Sequence, residues 1–227
     1  MALNFPIKGA LFDMDGLLLD SERLFMETLV QSTEPIGISK EDTEAFFVTL
    51  VGTSNKETSK HLSSFLPNHV EVTIFEAEWR NLYRARVEEG VPVKPHVRPL
   101  LIGLQGAGIP MCVVTSTVSR VAQKKLSKAG LDEFFRGVVA GDEVIANKPD
   151  PEPYLRGAAV LGLEASECAA FEDSDVGTTA ARRAGCLTYQ VPDLRPAGVA
   201  LPNLDQYVVK DLREAGCHLG VLSKALT

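Results

Sequence analysis

The chain has 227 residues, 45% of them hydrophobic and 23% charged, a balance that fits one large globular domain or a domain with an insert. Its formal net charge of −7 argues against a nucleic-acid surface, which is normally basic, but leaves anionic substrates open because a metal can reverse the local field. No charged leader with a long apolar core stands at the N-terminus, and no run approaches the roughly 20 apolar residues that span a bilayer, so neither a signal peptide nor a membrane anchor is expected.

The first strand-like run is Ile7 to Phe12, and Asp13-Met14-Asp15-Gly16 follows at once. Residues 21–91 then contain no convincing strand. They read as helices over Glu22 to Gln31, Lys40 to Leu50, Asn55 to Phe65 and Val70 to Glu89. Such a length is far beyond an ordinary strand-to-helix connection and predicts an inserted helical cap domain over residues 21–91, with Gly90, Pro92 and Pro95 marking its exit. Strand-like runs then alternate with helical patterns. The strands are Pro110 to Thr115, Gly137 to Ala140, Cys168 to Phe171, Leu187 to Val191 and Tyr207 to Val209. The helices are Val97 to Gln105, Ser119 to Ala129, Pro151 to Leu161, Val176 to Ala184 and Leu212 to Leu222. This alternation predicts an α/β, doubly wound parallel sheet of Rossmann-like type, formed by residues 1–20 and 92–227. The four cysteines, Cys112, Cys168, Cys186 and Cys217, form no CxxC pair, and three lie in or beside strand-like runs. Buried reduced thiols and a cytoplasmic location are the expectation.

Four signals fall at strand tips or the loops beyond them. Asp13 and Asp15 are carboxylates two residues apart, a costly juxtaposition that a metal ion or a shared proton would relieve. The second strand ends in Val114-Thr115-Ser116-Thr117, whose hydroxyls and amides can hold a phosphate or carboxylate oxygen, although such residues also serve as turns and caps. Lys148 stands in Asn147-Lys148-Pro149-Asp150-Pro151, where the prolines stiffen the backbone that carries the amine. The fourth strand ends in Glu172-Asp173-Ser174-Asp175-Val176-Gly177, a second acidic cluster of hard oxygen donors that suits Mg²⁺ and also offers several helix N-caps.

Taken together, Asp13-Met14-Asp15-Gly16 with Leu19-Asp20-Ser21-Glu22, Thr115, Lys148-Pro149 and Glu172-Asp173 resemble the four motifs of the haloacid dehalogenase-like hydrolase superfamily over nearly the whole chain. The run from Glu172 to Gly185 and the insert after the first motif resemble its helical-cap phosphatase and β-phosphoglucomutase-like subgroup. That resemblance implies a phosphoric monoester hydrolase with Mg²⁺ as cofactor. Asp13 would be the nucleophile that forms an aspartyl-phosphate, and Asp15 the general acid and then base. Thr115 and the Ser116 amide would hold the phosphoryl group, and Lys148 would balance charge on Asp13 and the phosphate. Asp13, the backbone carbonyl of Asp15 and Asp173 would hold the metal, with Glu172 a fourth contact, direct or through water.

Gly52-Thr53-Ser54-Asn55 resembles the family's substrate-specificity loop, and Arg80, Arg84 and Arg86 are candidate anion contacts that also fit a solvated helix face. The expected partner is a small phosphate monoester, a sugar phosphate first and phosphoglycolate second, with no nucleic acid and no membrane. The oligomeric state is not legible, and a monomer fits. A β-phosphoglucomutase-like isomerase is the nearest alternative. Such enzymes carry a histidine after the first motif and an arginine in the cap loop, where Phe25 and Asn55 stand here. A non-catalytic phospho-acceptor or phospho-ligand-binding protein is an alternative of another class.

Overall fold

The computed structural model describes residues 7–51, 55–195 and 198–223, with Asn55 described by its backbone. Strand β1 (Gly9–Phe12) leads to four helices, α1 (Ser21–Thr33), α2 (Lys40–Val48), α3 (Asn55–Phe65) and α4 (Val72–Glu89). There follow α5 (Val97–Gly106), β2 (Met111–Val114), α6 (Ser119–Ala129), β3 (Gly137–Val139), α7 (Glu152–Leu161), β4 (Cys168–Glu172), α8 (Asp175–Ala184), β5 (Leu187–Gln190), β6 (Tyr207–Val208) and α9 (Leu212–His218).

The strands form one parallel sheet in the order β3-β2-β1-β4-β5-β6, the doubly wound architecture expected from the sequence. Every residue of β1, β2 and β4 is buried. Parallel strands covered on both faces need unbroken apolar runs, and these three have them almost throughout. Leu11, Cys112, Val114, Ala158, Leu161 and Ala170 pack in one apolar cluster between the sheet and its helices. Burial pushes the thiols of Cys112 and Cys186 up to about 12 and that of Cys168 to about 11, so these three stay protonated packing groups.

The chain winds outward from β1 through β2 to β3, then returns to the other side of β1 with β4. This reversal opens a crevice at the carboxyl ends of β1 and β4, where ligands of open α/β sheets bind. The Phe12 and Phe171 rings stack with centroids 4.5 Å apart and fix these two tips against each other.

The residues group into two compact units: Met1–Asp20, Pro92–Asp193 and Leu201–Thr227 in one, Ser21–Val91 and Leu194–Ala200 in the other. The second is a helical unit with its own core. Trp79 is fully buried there, stacks on Phe25 at 4.1 Å, and donates from its indole nitrogen to the Phe25 carbonyl and the Thr28 hydroxyl. Leu194 joins the same apolar cluster, a long-range contact that no local pattern signals.

Among the described residues no helix is long and apolar enough to cross a membrane. The helix shortened most against expectation is α9, which stops at His218 rather than Leu222. Leu219 caps it, and Gly220 takes a left-handed turn with φ of 74°, a conformation in which glycine has no Cβ to clash.

Candidate active site

The Asp13 amide donates to the Phe171 carbonyl at 3.0 Å, extending the sheet ladder one residue beyond β1 and setting the carboxylate at the crevice. Lys148 meets it there. The ammonium donates to Asp13 Oδ1 at 2.6 Å, Glu172 Oε1 at 2.6 Å and the Val114 carbonyl at 2.9 Å, which uses all three of its donors. Burial opposes the charge on Lys148, but Asp13 and Glu172 outweigh it and hold the ammonium above the ordinary lysine value.

Glu172 is fully buried. It accepts a second bond on Oε1 from the Tyr154 hydroxyl at 2.5 Å, and Oε2 accepts from the Ser174 hydroxyl at 3.1 Å. Ser174 is the N-cap of α8 and accepts from the Gly177 amide at 3.0 Å, so one hydroxyl ties the helix start to the carboxylate. A Cβ at Gly177 would collide with the Glu172 carboxylate, which explains glycine in the first turn of a helix.

Asp173 lies beside this pair. Carboxylate oxygens of Asp13, Glu172 and Asp173 come within 4.8 Å of one another. Burial, then the charges of Glu172 and Asp15, push the Asp13 carboxyl well above the usual carboxylate range, with Lys148 opposing them. Three buried carboxylates gathered here, two of them on the Lys148 ammonium, are a hard-oxygen set that fits a small divalent cation, whose charge would relieve the crowding. Gly16 turns the chain away at φ of 89°, and a Cβ there would press on the Asp173 carboxylate.

Asp15 has different surroundings. Its Oδ1 accepts from the Lys125 ammonium and its Oδ2 from the Thr117 hydroxyl, both at 2.7 Å. The Asp15 side chain is 26% exposed, against 11% for Asp13.

The fold and these groupings match a known family. The family model for haloacid dehalogenase-like hydrolases matches residues 10–191. The chain belongs to the haloacid dehalogenase-like hydrolase family. It is 33% identical over 212 residues to hexitol phosphatase A of Escherichia coli K12, covering 89% of this chain and 94% of that one. It is 31% identical to a phosphorylated carbohydrates phosphatase of Thermotoga maritima, covering 79% and 82%. Among solved structures, a haloacid dehalogenase family hydrolase of Deinococcus radiodurans, with phosphate and sodium bound, superposes with a TM-score of 0.82 at 25% identity over 98% of this chain and all of that one. A structure described as a β-phosphoglucomutase of the putative kind from Thermotoga maritima gives a TM-score of 0.77 at 28% identity over 97% and 100%.

In this hydrolase the other sequence candidates fall as follows. Thr115 is buried, its amide donating to the Val139 carbonyl and its hydroxyl accepting from the Thr117 amide at 3.1 Å. Ser116 is exposed at the loop tip, with its carbonyl pressed against Gly141. Gly52, Thr53 and Ser54 lie outside the described residues, as does the Asn55 side chain. Arg80 is engaged with Glu76 one turn away, Arg84 with Asn81 and Arg86 with Glu89, all along α4. His96 sits in a left-handed backbone conformation before α5, 4.0 Å from Asp211.

Sequence reasoning did not single out Lys125, on Asp15, or Tyr154, on Glu172, and it named Thr117, also on Asp15, only within the run that ends the second strand. Lys125 had a legible signal. Ala122, Leu126 and Ala129 mark the buried stripe of α6, and Lys125 stands on that stripe at helical spacing. Tyr154 had none, because its partner is 18 residues away on another element.

Proposed function

We propose that this hydrolase is a Mg²⁺-dependent phosphatase of a small phosphorylated metabolite, a sugar phosphate first and phosphoglycolate second, acting through an aspartyl-phosphate on Asp13. The observation that carries the reading is the unequal setting of two neighbouring carboxylates: Asp13 deep against Lys148, Glu172 and Asp173, and Asp15 partly exposed between Lys125 and Thr117. Pairs of titratable groups in contrasting surroundings are how one site divides nucleophilic from acid–base work. The names of the relatives in Escherichia coli and Thermotoga maritima support the carbohydrate phosphate class. A relative in Yersinia pestis named phosphoglycolate phosphatase, 28% identical, supports the second.

In this reading the Asp13 carboxylate attacks phosphorus while Asp15 protonates the departing oxygen. Asp15 then takes a proton from the water that releases phosphate from Asp13. Thr115 accepts from a backbone amide and so keeps its own O–H for a phosphoryl oxygen, with the Ser116 amide beside it. Lys148 offsets charge on Asp13 and the phosphoryl group. Mg²⁺, held by Asp13, Asp173 and the Asp15 carbonyl, with Glu172 direct or through water, would supply the positive charge that lets a carboxylate approach a phosphate dianion. A cap contact loop at Gly52, Thr53, Ser54 and Asn55 belongs to the same proposal. So does a cytoplasmic setting, supported by four free cysteines.

Phosphate release from p-nitrophenyl phosphate and a panel of sugar phosphates tests this reading. Turnover with Mg²⁺, its loss in EDTA and its return with added Mg²⁺ are expected. Failure to release phosphate from any ester with Mg²⁺ present would overturn the reading and favour a phospho-ligand-binding protein. An isomerase would instead convert a sugar phosphate without net phosphate release. Phe25, at the position of the mutase histidine, stacks in the aromatic cluster with Trp79 and so disfavours that outcome.

A further inference from the structure

Lys125 is a lysine on the inward face of a helix. Its side chain is 6% exposed, and it shares the buried stripe of α6 with Ala122, Leu126 and Ala129. A buried charge costs free energy unless it is paired, and an apolar side chain would fill this stripe without that cost. The ammonium reaches Asp15 Oδ1 at 2.7 Å, while the Thr117 hydroxyl reaches Oδ2 at 2.7 Å. Two bonds on two different oxygens fix the plane of a carboxylate, which a single bond does not. A carboxylate has about four acceptor directions, so these two bonds do not by themselves use up its oxygens. Asp15 also keeps an exposed edge, at 26% of its side chain.

We propose that Lys125, together with Thr117, is a positioning residue for Asp15, setting the plane of the carboxylate that delivers the proton to the leaving oxygen. The proposal rests on the reading of Asp15 as the acid–base group. Its consequence is selective. A leaving group that departs well as an anion needs little help from the acid, whereas an alcohol-like one needs a well-placed proton. The clamp therefore matters most for esters of poor leaving groups.

The test compares kcat/KM for phenyl phosphate and p-nitrophenyl phosphate in Asp15→Asn, Lys125→Met, Lys125→Arg and Thr117→Val. The ratio isolates the first half of the reaction, and the two esters differ little in shape. Asp15→Asn is expected to lower the phenyl phosphate value by about 10²-fold or more and the nitrophenyl value much less. Lys125→Met should show the same asymmetry, at about 10- to 100-fold on phenyl phosphate, because misplacement by about 1 Å costs on that scale. Lys125→Arg should restore part of it. Thr117→Val should reproduce the asymmetry more weakly and stands in if Lys125→Met does not fold. Equal losses on both esters in the Lys125 and Thr117 variants, or no loss, would overturn the clamp while Asp15→Asn keeps its asymmetry. Without asymmetry in Asp15→Asn itself, the acid–base reading fails and the proposal fails with it.

Discussion

The sheet unit and the helical unit bury different things. At the carboxyl end of the sheet the interior holds Asp13, Lys148 and Glu172, joined by short charge-assisted bonds, with Asp173 beside them. The interior of the helical unit holds Trp79, Phe47, Leu29 and Leu62, and its polar members are hydroxyls satisfied locally, such as Thr33 against Thr43 at 2.7 Å. Its ion pairs run along single helices at the edge of that core or on its surface, as in Arg80 with Glu76 beside the Phe25 and Trp79 rings and Arg86 with Glu89. Buried charge is costly unless paired or used, so the first region is the candidate for chemistry and the second for packing. Substitutions can break this contrast or sharpen it.

The largest effect is expected at Asp13. Asp13→Asn keeps the shape and removes the carboxylate proposed as nucleophile, and phosphate release should fall on the order of 10⁴-fold or more with an unchanged circular dichroism spectrum. Near-full activity would remove Asp13 from the nucleophile role. In the helical unit the corresponding blow is structural. Trp79→Ala deletes a fully buried ring and two hydrogen bonds, and should cost about 3–5 kcal/mol in denaturant unfolding. A cost under about 1 kcal/mol would mean that the aromatic cluster does not hold the helices together.

Gly177→Ala probes the junction between packing and chemistry. The added methyl would push Glu172 off Lys148, so a loss of about 1–3 kcal/mol in stability should come with reduced turnover. Stability lost with activity intact would show that Glu172 does not govern the Lys148 position. The smallest effect is expected at Arg86→Ala, whose partner Glu89 is exposed; stability should move by less than about 0.5 kcal/mol and turnover not at all. A marked rise in KM there would restore Arg86 as an anion contact.

Much of the sheet was legible because its strands are short apolar runs bounded by glycine and acidic residues, and each tip carried its chemistry in one or two adjacent positions. Asp13, Lys148, Glu172 and Asp173 could each be noticed alone. That one ammonium bonds both Asp13 and Glu172 could not be read off, since Lys148 and Asp13 are 135 positions apart. The missing strands in residues 21–91 raised the expectation of a helical insert, whereas the packing of Leu194 among the apolar side chains of those helices carried no local signal.

The sequence by itself determined which residue types stand at which strand tips, and the parallel alternation that makes those tips converge on one edge. Local pattern is enough for that, because hydrophobic period and turn residues act over a few positions. Only the tertiary structure decided that the two carboxylates of the first motif part company. Asp13 turns to the ammonium of Lys148, and Asp15 to Lys125 and Thr117. The partners of a buried charge are chosen by what the fold brings within hydrogen-bond reach, a short-range condition in space that spacing along the chain does not encode.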